Sequence, residues 1–380
     1  MKIGIITQPL ETNYGGLLQN YALQEVLCRL GHESITLDLP DLKIGRKRAY
    51  VNGLKGFVKR IFGKDAKYKR YISQKERKQI ARNTSMFVNK YIQHTSKLKT
   101  EKEFVEAIDN LCLDALVVGS DQVWRPAYNP CITRMYFDFA DNTNITRFSY
   151  AASFGVDFWE YSAEQTKACR ELAKKMKAIS VRERSGIELC KNNLGVEAML
   201  VLDPTMLLDK EDYIKIVNAC QIKKSQGDMF TYILDNTEQK TNIIKKVAAE
   251  LNLTPFAVMP SKSRMFKKEK LEECVFPPVE QWLRAFMDAK YIICDSFHGM
   301  VFSIIFNKPF WIIENKKRGN TRFDSLLELF GLENRKIDAA EIERIDFTQP
   351  IDWEKVNSIK KEWQLKSIKY LKDNVGQIVR

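Results

Sequence analysis

The chain has 380 residues, 44% of them hydrophobic and 29% charged, with a formal net charge of +13. That length implies two cores of roughly 150–200 residues each, and the composition excludes a disordered or fibrous chain. No uninterrupted apolar span reaches the roughly 18 residues a membrane helix needs, since the longest stretch, Met300 to Ile313, is broken by Asn307, Lys308 and Pro309. The opening MKIGIITQPLE is too short for a signal-peptide core, so the expectation is a cytoplasmic protein. The eight cysteines are scattered without a CxxC pair and only three histidines occur, which speaks against a disulfide framework or a bound transition metal. The positive charge is local: Lys43 to Lys99 carries eighteen Lys and Arg against two acids, and the rest of the chain is slightly acidic. No nucleic-acid motif accompanies that segment, so no nucleic-acid partner is expected.

Met1 to Thr7 reads as a short buried strand. It is followed by a polar loop holding Asn13-Tyr14-Gly15-Gly16, and by a helix on Leu17, Leu18, Tyr21, Ala22, Val26, Leu27 and Leu30 that Gly31 stops. Ser34 to Leu39 alternates as a second strand, and this β-loop-α-β opening announces a parallel sheet. The glycines spell neither GxGxxG nor a P-loop.

Within the basic segment, from about 43 to 102, Leu54, Phe57, Val58, Ile61 and Phe62 form an apolar stripe flanked by lysines. Three readings fit it: a helical insertion packing on its own domain, an interfacial helix touching an anionic membrane, and a loop guiding an acidic glycan. The insertion is preferred.

Leu113 to Gly119 is another apolar strand, closing on Gly119-Ser120-Asp121-Gln122-Val123-Trp124; Asp121 there is either a ligand position or a helix cap. Strands follow at Thr146 to Ser153, Ala178 to Arg182 and Met199 to Asp203, with a helix over 163–176. Arg182 and Arg184 stand where a strand hands over to a helix. Two guanidiniums there suit a carboxylate or phosphate, or else form surface ion pairs with Glu183 and Glu188.

A polar stretch from Asp209 to Asp228 reads as the inter-domain connection. The β/α rhythm then repeats through Met229 to Leu234, Thr241 to Leu251, Pro255 to Met259 and Val279 to Ala289. Next come Tyr291-Ile292-Ile293, the turn Asp295-Ser296-Phe297-His298-Gly299, a buried helical run from Met300, and a strand from Pro309 to Ile313. A strand-to-helix turn of this kind aims helix N–H groups at a ligand. His298 in it is a candidate acid or, alternatively, a histidine capping its own helix. A basic loop, Asn315 to Arg322, precedes a helix over 323–330, and a final amphipathic helix spans 353–372.

Taken together, these strings resemble the polysaccharide pyruvyl transferase family. The opening strand with Asn13-Tyr14-Gly15, then GSDQVW, SVRE (Ser180 to Glu183), LDPT (Leu202 to Thr205) and DSFHG running into FSIIFNKPF come in that family's order, from Ile3 to about Leu327. The resemblance implies an α/β protein of two Rossmann-like domains facing across a cleft, glycosyltransferase-B-like, with a C-terminal helix crossing back. The expected divisions are 1–212, 213–350 and 351–380. It also implies phosphoenolpyruvate as co-substrate with no cofactor and no metal, and a pyruvate ketal on a glycan or lipid-linked sugar as product. Peripheral contact with the inner membrane face through 43–102 is the further expectation.

Such chemistry asks for a general acid, His298, and for anion binding by Arg182 with Arg184 or Arg322 as second choice. Amides of Phe297 to Met300 would cradle phosphate, and Asp121 would orient or deprotonate the acceptor hydroxyl. Asn13, Tyr14, Gly15, Ser120, Gln122, Asp295, Ser296, Phe297 and Gly299 complete the expected lining. The rival reading keeps the architecture and makes the protein a nucleotide-sugar-dependent glycosyltransferase or a non-catalytic glycan- or membrane-binding relative.

Overall fold

The computed structural model describes residues 1–40, 72–261, 271–314, 321–338 and 342–375. The first half opens with β1 (Lys2–Ile6), α1 (Tyr14–Arg29) and β2 (Glu33–Thr36), and continues with α2 (Gln74–Ile80), α3 (Arg82–Tyr91), α4 (Glu101–Asn110), β3 (Ala115–Val118), β4 (Thr146–Ser149) and α5 (Ala163–Lys174). It closes with β5 (Ser180–Val181), α6 (Arg184–Leu189) and β6 (Met199–Leu200). Four strands form a parallel sheet in the order β2-β1-β3-β4. Parallel bridges Phe148 to Ala178 and Ala152 to Val181 carry the pairing on to β5 and β6. Strands buried on both faces need continuous apolar runs, and Ala115–Val118 and Ile3–Ile6 supply them.

The second half runs through α7 (Lys210–Asn218), β7 (Met229–Tyr232), α8 (Glu238–Glu250), β8 (Pro255–Phe256), α9 (Val279–Asp288), β9 (Tyr291–Cys294), α10 (Phe297–Ile305), β10 (Phe310–Ile313), α11 (Thr321–Phe330), β11 (Lys336–Ile337) and α12 (Trp353–Val375). Its sheet is parallel in the order β11-β10-β9-β7-β8. Two parallel α/β sheets and a returning helix are the architecture expected from the sequence.

Two details differ from the sequence reading, and a third, within the basic segment, fits the helical insertion preferred there. Residues 210–218, taken as part of a polar connection, form α7, which buries Tyr213, Ile216 and Val217; Tyr213 meets Phe302 edge-on at 4.9 Å. Residues 82–92 lie inside the basic segment, yet Phe87, Val88 and Ile92 belong to the main core, and Thr36 bridges His94. β11 is too short to leave a periodic signal. The apolar stripe at Leu54, Phe57, Val58, Ile61 and Phe62 lies outside the described residues.

One apolar cluster spans both halves, from Ile3 and Leu18 through Met206 to Trp282 and Phe302. Tyr14 stacks on Trp282 at 5.6 Å, and its hydroxyl donates to the Pro277 carbonyl. Helix α12 returns to the first half: Ser367 Oγ accepts from Leu202 N–H at 3.0 Å, Gln364 donates to the Met206 carbonyl and Tyr370 to the Ser149 carbonyl. Among the described residues, no helix is long and apolar enough to cross a membrane.

Candidate active site

The carboxyl ends of β3, β5, β6 and β9 converge, which is where α/β sheets bind ligands. From the second half, β9 delivers Asp295 and Ser296 into the N-terminus of α10, whose every residue is buried. A Cβ on Gly299 would sit 2.8 Å from the Cβ of Cys294, so glycine there lets α10 lie directly on its own strand. His298 occupies the first turn of that helix, 6% exposed.

Its ring is seated by the other half of the molecule. A Cβ on Gly15 would fall 2.0 Å from His298 Nδ1, so only a glycine at the start of α1 leaves space for the imidazole. On the other side, Nε2 stands 3.6 Å from Asp203 Oδ2, beyond hydrogen-bond length, and is buried without a hydrogen-bond partner.

Asp203 is the hub of a buried ionic cluster. Its Oδ1 accepts from the Thr205 amide and hydroxyl, at 3.1 and 2.7 Å, while Oδ2 accepts from Arg182 Nη1 at 2.7 Å and lies 3.0 Å from Ser120 Oγ. Arg182 reaches Asp121 Oδ1 at 3.1 Å through Nη2 and stands 4.0 Å from Glu183 through Nε. Asp121 also accepts from Asn13 Nδ2 at 2.8 Å and from the Gln122 amide. Glu183 Oε1 accepts from the amides of Phe154 and Gly155. The ring of Phe297 lies 4.4 Å from the Arg182 guanidinium carbon and 5.8 Å from that of Arg322, within cation–π range of both.

The ionisation of the cluster follows from these neighbours. Burial alone would raise the Asp203 carboxyl, yet His298 and Arg182 hold it well below the usual range. Asp121 is likewise opposed by burial and held down by Arg182, His298 and Arg322. For Glu183, burial outweighs the two guanidiniums and its pKa is raised. Burial and the like charge of Arg182 push Arg322 down to about 10, leaving it cationic at neutral pH. Arg182 is pulled down by burial and raised on balance by its carboxylates.

The profile of one protein family, polysaccharide pyruvyl transferase, matches residues 13–317 and therefore takes in every member of this cluster except Arg322. The chain belongs to that family. A search of curated proteins gives no match. Among solved structures, the fold is similar to UDP-GlcNAc 2-epimerase from Neisseria meningitidis bound to UDP-GlcNAc (TM-score 0.52, 9% identity, 99% of each chain covered). It is similar also to UDP-GlcNAc 2-epimerase from Methanocaldococcus jannaschii (TM-score 0.50, 13% identity, 97% of this chain and 100% of that one). These likenesses establish the glycosyltransferase-B-like fold of this pyruvyl transferase family member.

Of the residues singled out from sequence, His298, Arg182, Asp121, Ser120, Phe297, Arg322, Asn13 and Gly15 gather at one place. The others are used differently. Asp295 accepts from the Leu234 amide at 2.7 Å and pairs with Lys240, tying the end of β7 to α8. Arg184 points outward to Glu328 at 3.4 Å, both side chains more than half exposed, as a surface ion pair. Its partner is on α11 and is neither Glu183 nor Glu188. Tyr14 is committed to the Trp282 stack, and the Gln122 side chain accepts from Arg125 at 3.1 Å. Ser296 precedes α10 in extended conformation with no side-chain cap bond.

Sequence reasoning missed Asp203 and Glu183 as members of the cluster. Both stand in strings that were noticed, LDPT and SVRE. A carboxylate two or three residues past a short strand was the available signal, and nothing local tells such a residue from a turn cap.

Proposed function

We propose that this protein transfers pyruvyl from phosphoenolpyruvate to a sugar of a cell-surface polysaccharide or of its lipid-linked precursor, on the cytoplasmic side of the membrane. The observation that carries the reading is the His298 imidazole, buried and sharing the Asp203 carboxylate oxygen with Arg182, next to Phe297 whose ring lies against the Arg182 and Arg322 guanidiniums, within a family of pyruvyl transferases.

The chemistry balances on those groups. Protonation of the donor's methylene carbon makes its neighbour electrophilic, and one sugar hydroxyl adds there. The C–O bond to phosphate then breaks with its electron pair, and a second hydroxyl closes the ring as its proton is released. One phosphoenolpyruvate and two hydroxyls become one ketal and one phosphate. His298 supplies the proton from Nε2, to carbon or to the departing phosphate. Arg182 and Arg322 offset the charge of the carboxylate and phosphate, and the amides of Phe297, His298 and Gly299, at a helix start where the backbone offers no intrahelical acceptor, face the same anion; the Met300 amide, expected with them, instead donates to the Ser296 carbonyl. Both oxygens of Asp121 already accept hydrogen bonds, so its part in this reading is to orient Arg182 and Asn13.

The decisive measurement is phosphate release from phosphoenolpyruvate against a panel of lipid-linked and nucleotide-activated sugars. His298→Ala is expected to lower turnover roughly 100- to 10,000-fold with an unchanged unfolding transition; retained turnover removes the acid. In thermal-shift titration, stabilisation by phosphoenolpyruvate supports pyruvyl transfer, and stabilisation by UDP alone supports a nucleotide-sugar glycosyltransferase of the same architecture.

A further inference from the structure

Arg182 follows β5 and Arg322 lies in the first turn of α11, and both side chains are buried in the same place. Burial and the like charge of Arg182 disfavour the Arg322 cation. What the two share is the ring of Phe297, itself 3% exposed, with its centroid 4.4 Å from the guanidinium carbon of Arg182 and 5.8 Å from that of Arg322. An aromatic face attracts a cation most strongly where water is excluded. We propose that Phe297 is the positioning residue of the anion seat, holding the Arg182 and Arg322 guanidiniums to one ring so that a ligand with two anionic groups meets both at once.

The two cations are held by different means. Carboxylates fix Arg182, through Asp203 Oδ2 at 2.7 Å and Asp121 Oδ1 at 3.1 Å. A further carboxylate could tether Arg322 in the same way, but it would offset the charge that the ligand has to meet. A ring face attracts a guanidinium through its quadrupole and adds no negative charge. Phe297 also begins α10, so the residue that steadies the cations leads straight into the helix start that faces the same anion. Cations already in place cost an incoming ligand less ordering.

The inference rests on the pyruvyl-transfer reading only for the identity of the ligand, and two probes separate them. Mono-, di- and trifluorinated phenylalanine at position 297 keep the shape of the ring while weakening its quadrupole in steps. Calorimetric titration of the full chain with phosphoenolpyruvate should show affinity falling along that series, to about tenfold at the last step, with a smaller fall for inorganic phosphate. KM for phosphoenolpyruvate should rise in parallel while kcat changes less than about threefold. Phe297→Leu, which removes the quadrupole altogether, should lose about 10- to 30-fold in affinity. In an Arg322→Gln background the fluorinated series should matter less, a coupling that a ring merely filling space would not produce. Affinities that stay constant along the series overturn the proposal, as do a loss for inorganic phosphate as large as that for phosphoenolpyruvate, an effect of equal size with and without Arg322, and a wild-type chain that binds neither probe. The expected stepwise losses in a protein that never releases phosphate from phosphoenolpyruvate would leave the seat standing and remove the pyruvyl-transfer reading instead.

Discussion

Gly15 and Arg182 show how much a single position decides. The string Asn13-Tyr14-Gly15 suggests ligand contact, but Gly15 serves the site by making room: with a Cβ 2.0 Å from His298 Nδ1, Gly15→Ala must displace the ring. A misplacement of about 1 Å costs on the order of a hundredfold in rate, so Gly15→Ala should lose about that much turnover while thermal stability changes little. A normal rate in that variant would show that the ring need not sit where it does. Arg182 was expected to grip the donor, and it does border the site. Engagement by Asp203 and Asp121, with Glu183 4.0 Å away, adds a structural duty. Removing one partner of a buried ionic cluster strands the others, so Arg182→Ala should destabilise by about 3–5 kcal/mol, measured by urea unfolding, and any rise in KM must be read only in protein that is still folded. At this scale the sequence was legible wherever a short string names its own chemistry, as DSFHG does. It was silent on whether Arg184 or Arg322 would face inward and on Asp203 joining Asp121 there, because that depends on how distant strand ends meet.

Among the elements, strands and helices with strong periodicity stand where their patterns put them, including β1, β3, β9 and α10. Among those left unread, α2 and α3 lie where a dense run of lysines and arginines masks the apolar face. α12 has a legible amphipathic pattern, and its docking partner was expected only in outline. Ser367 accepts from the Leu202 amide, directly beside Asp203 in sequence, and Tyr370 bonds the Ser149 carbonyl from the same helix face. Ser367→Val would leave a buried amide without an acceptor and should cost about 1–3 kcal/mol, together with a loss of turnover because the neighbouring Asp203 shifts. Leu365→Ser on the exposed face, where Leu365 is 64% exposed, should stay within about 0.5 kcal/mol and leave turnover alone. Chemical unfolding and phosphate release on both variants check the pair; equal effects would mean that α12 does not dock through Ser367.

Across the whole molecule, the site exists because two sheets meet, and its charges give folding a pH dependence whose sign can be worked out. Asp203 and Asp121 are held below the ordinary carboxylate range in the folded state, so the stability they contribute is present above an unfolded value of about 3.9 and lost as pH falls through their folded values. Glu183, raised by burial, acts oppositely: its contribution is present at low pH and lost as pH rises through its folded value. The two aspartates make stability climb as pH rises toward about 4, and Glu183 works against further gain above about pH 4.3. Asp121→Asn should flatten that climb in urea unfolding across the range; an identical slope would mean that Asp121 is not held ionised by its neighbours.

The contact between Leu202 and Ser367 also bears on the order in which the protein is made. The two residues are 165 positions apart, so while a ribosome is still reading the intervening codons, the segment that carries Asp203 lacks the helix that later pins it. The pairing of β1, β3 and β4 needs nothing beyond residue 149, whereas the segment around Asp203 is pinned by residues of α12. The cluster around Asp203 is therefore complete only once α12 has been synthesised and has docked.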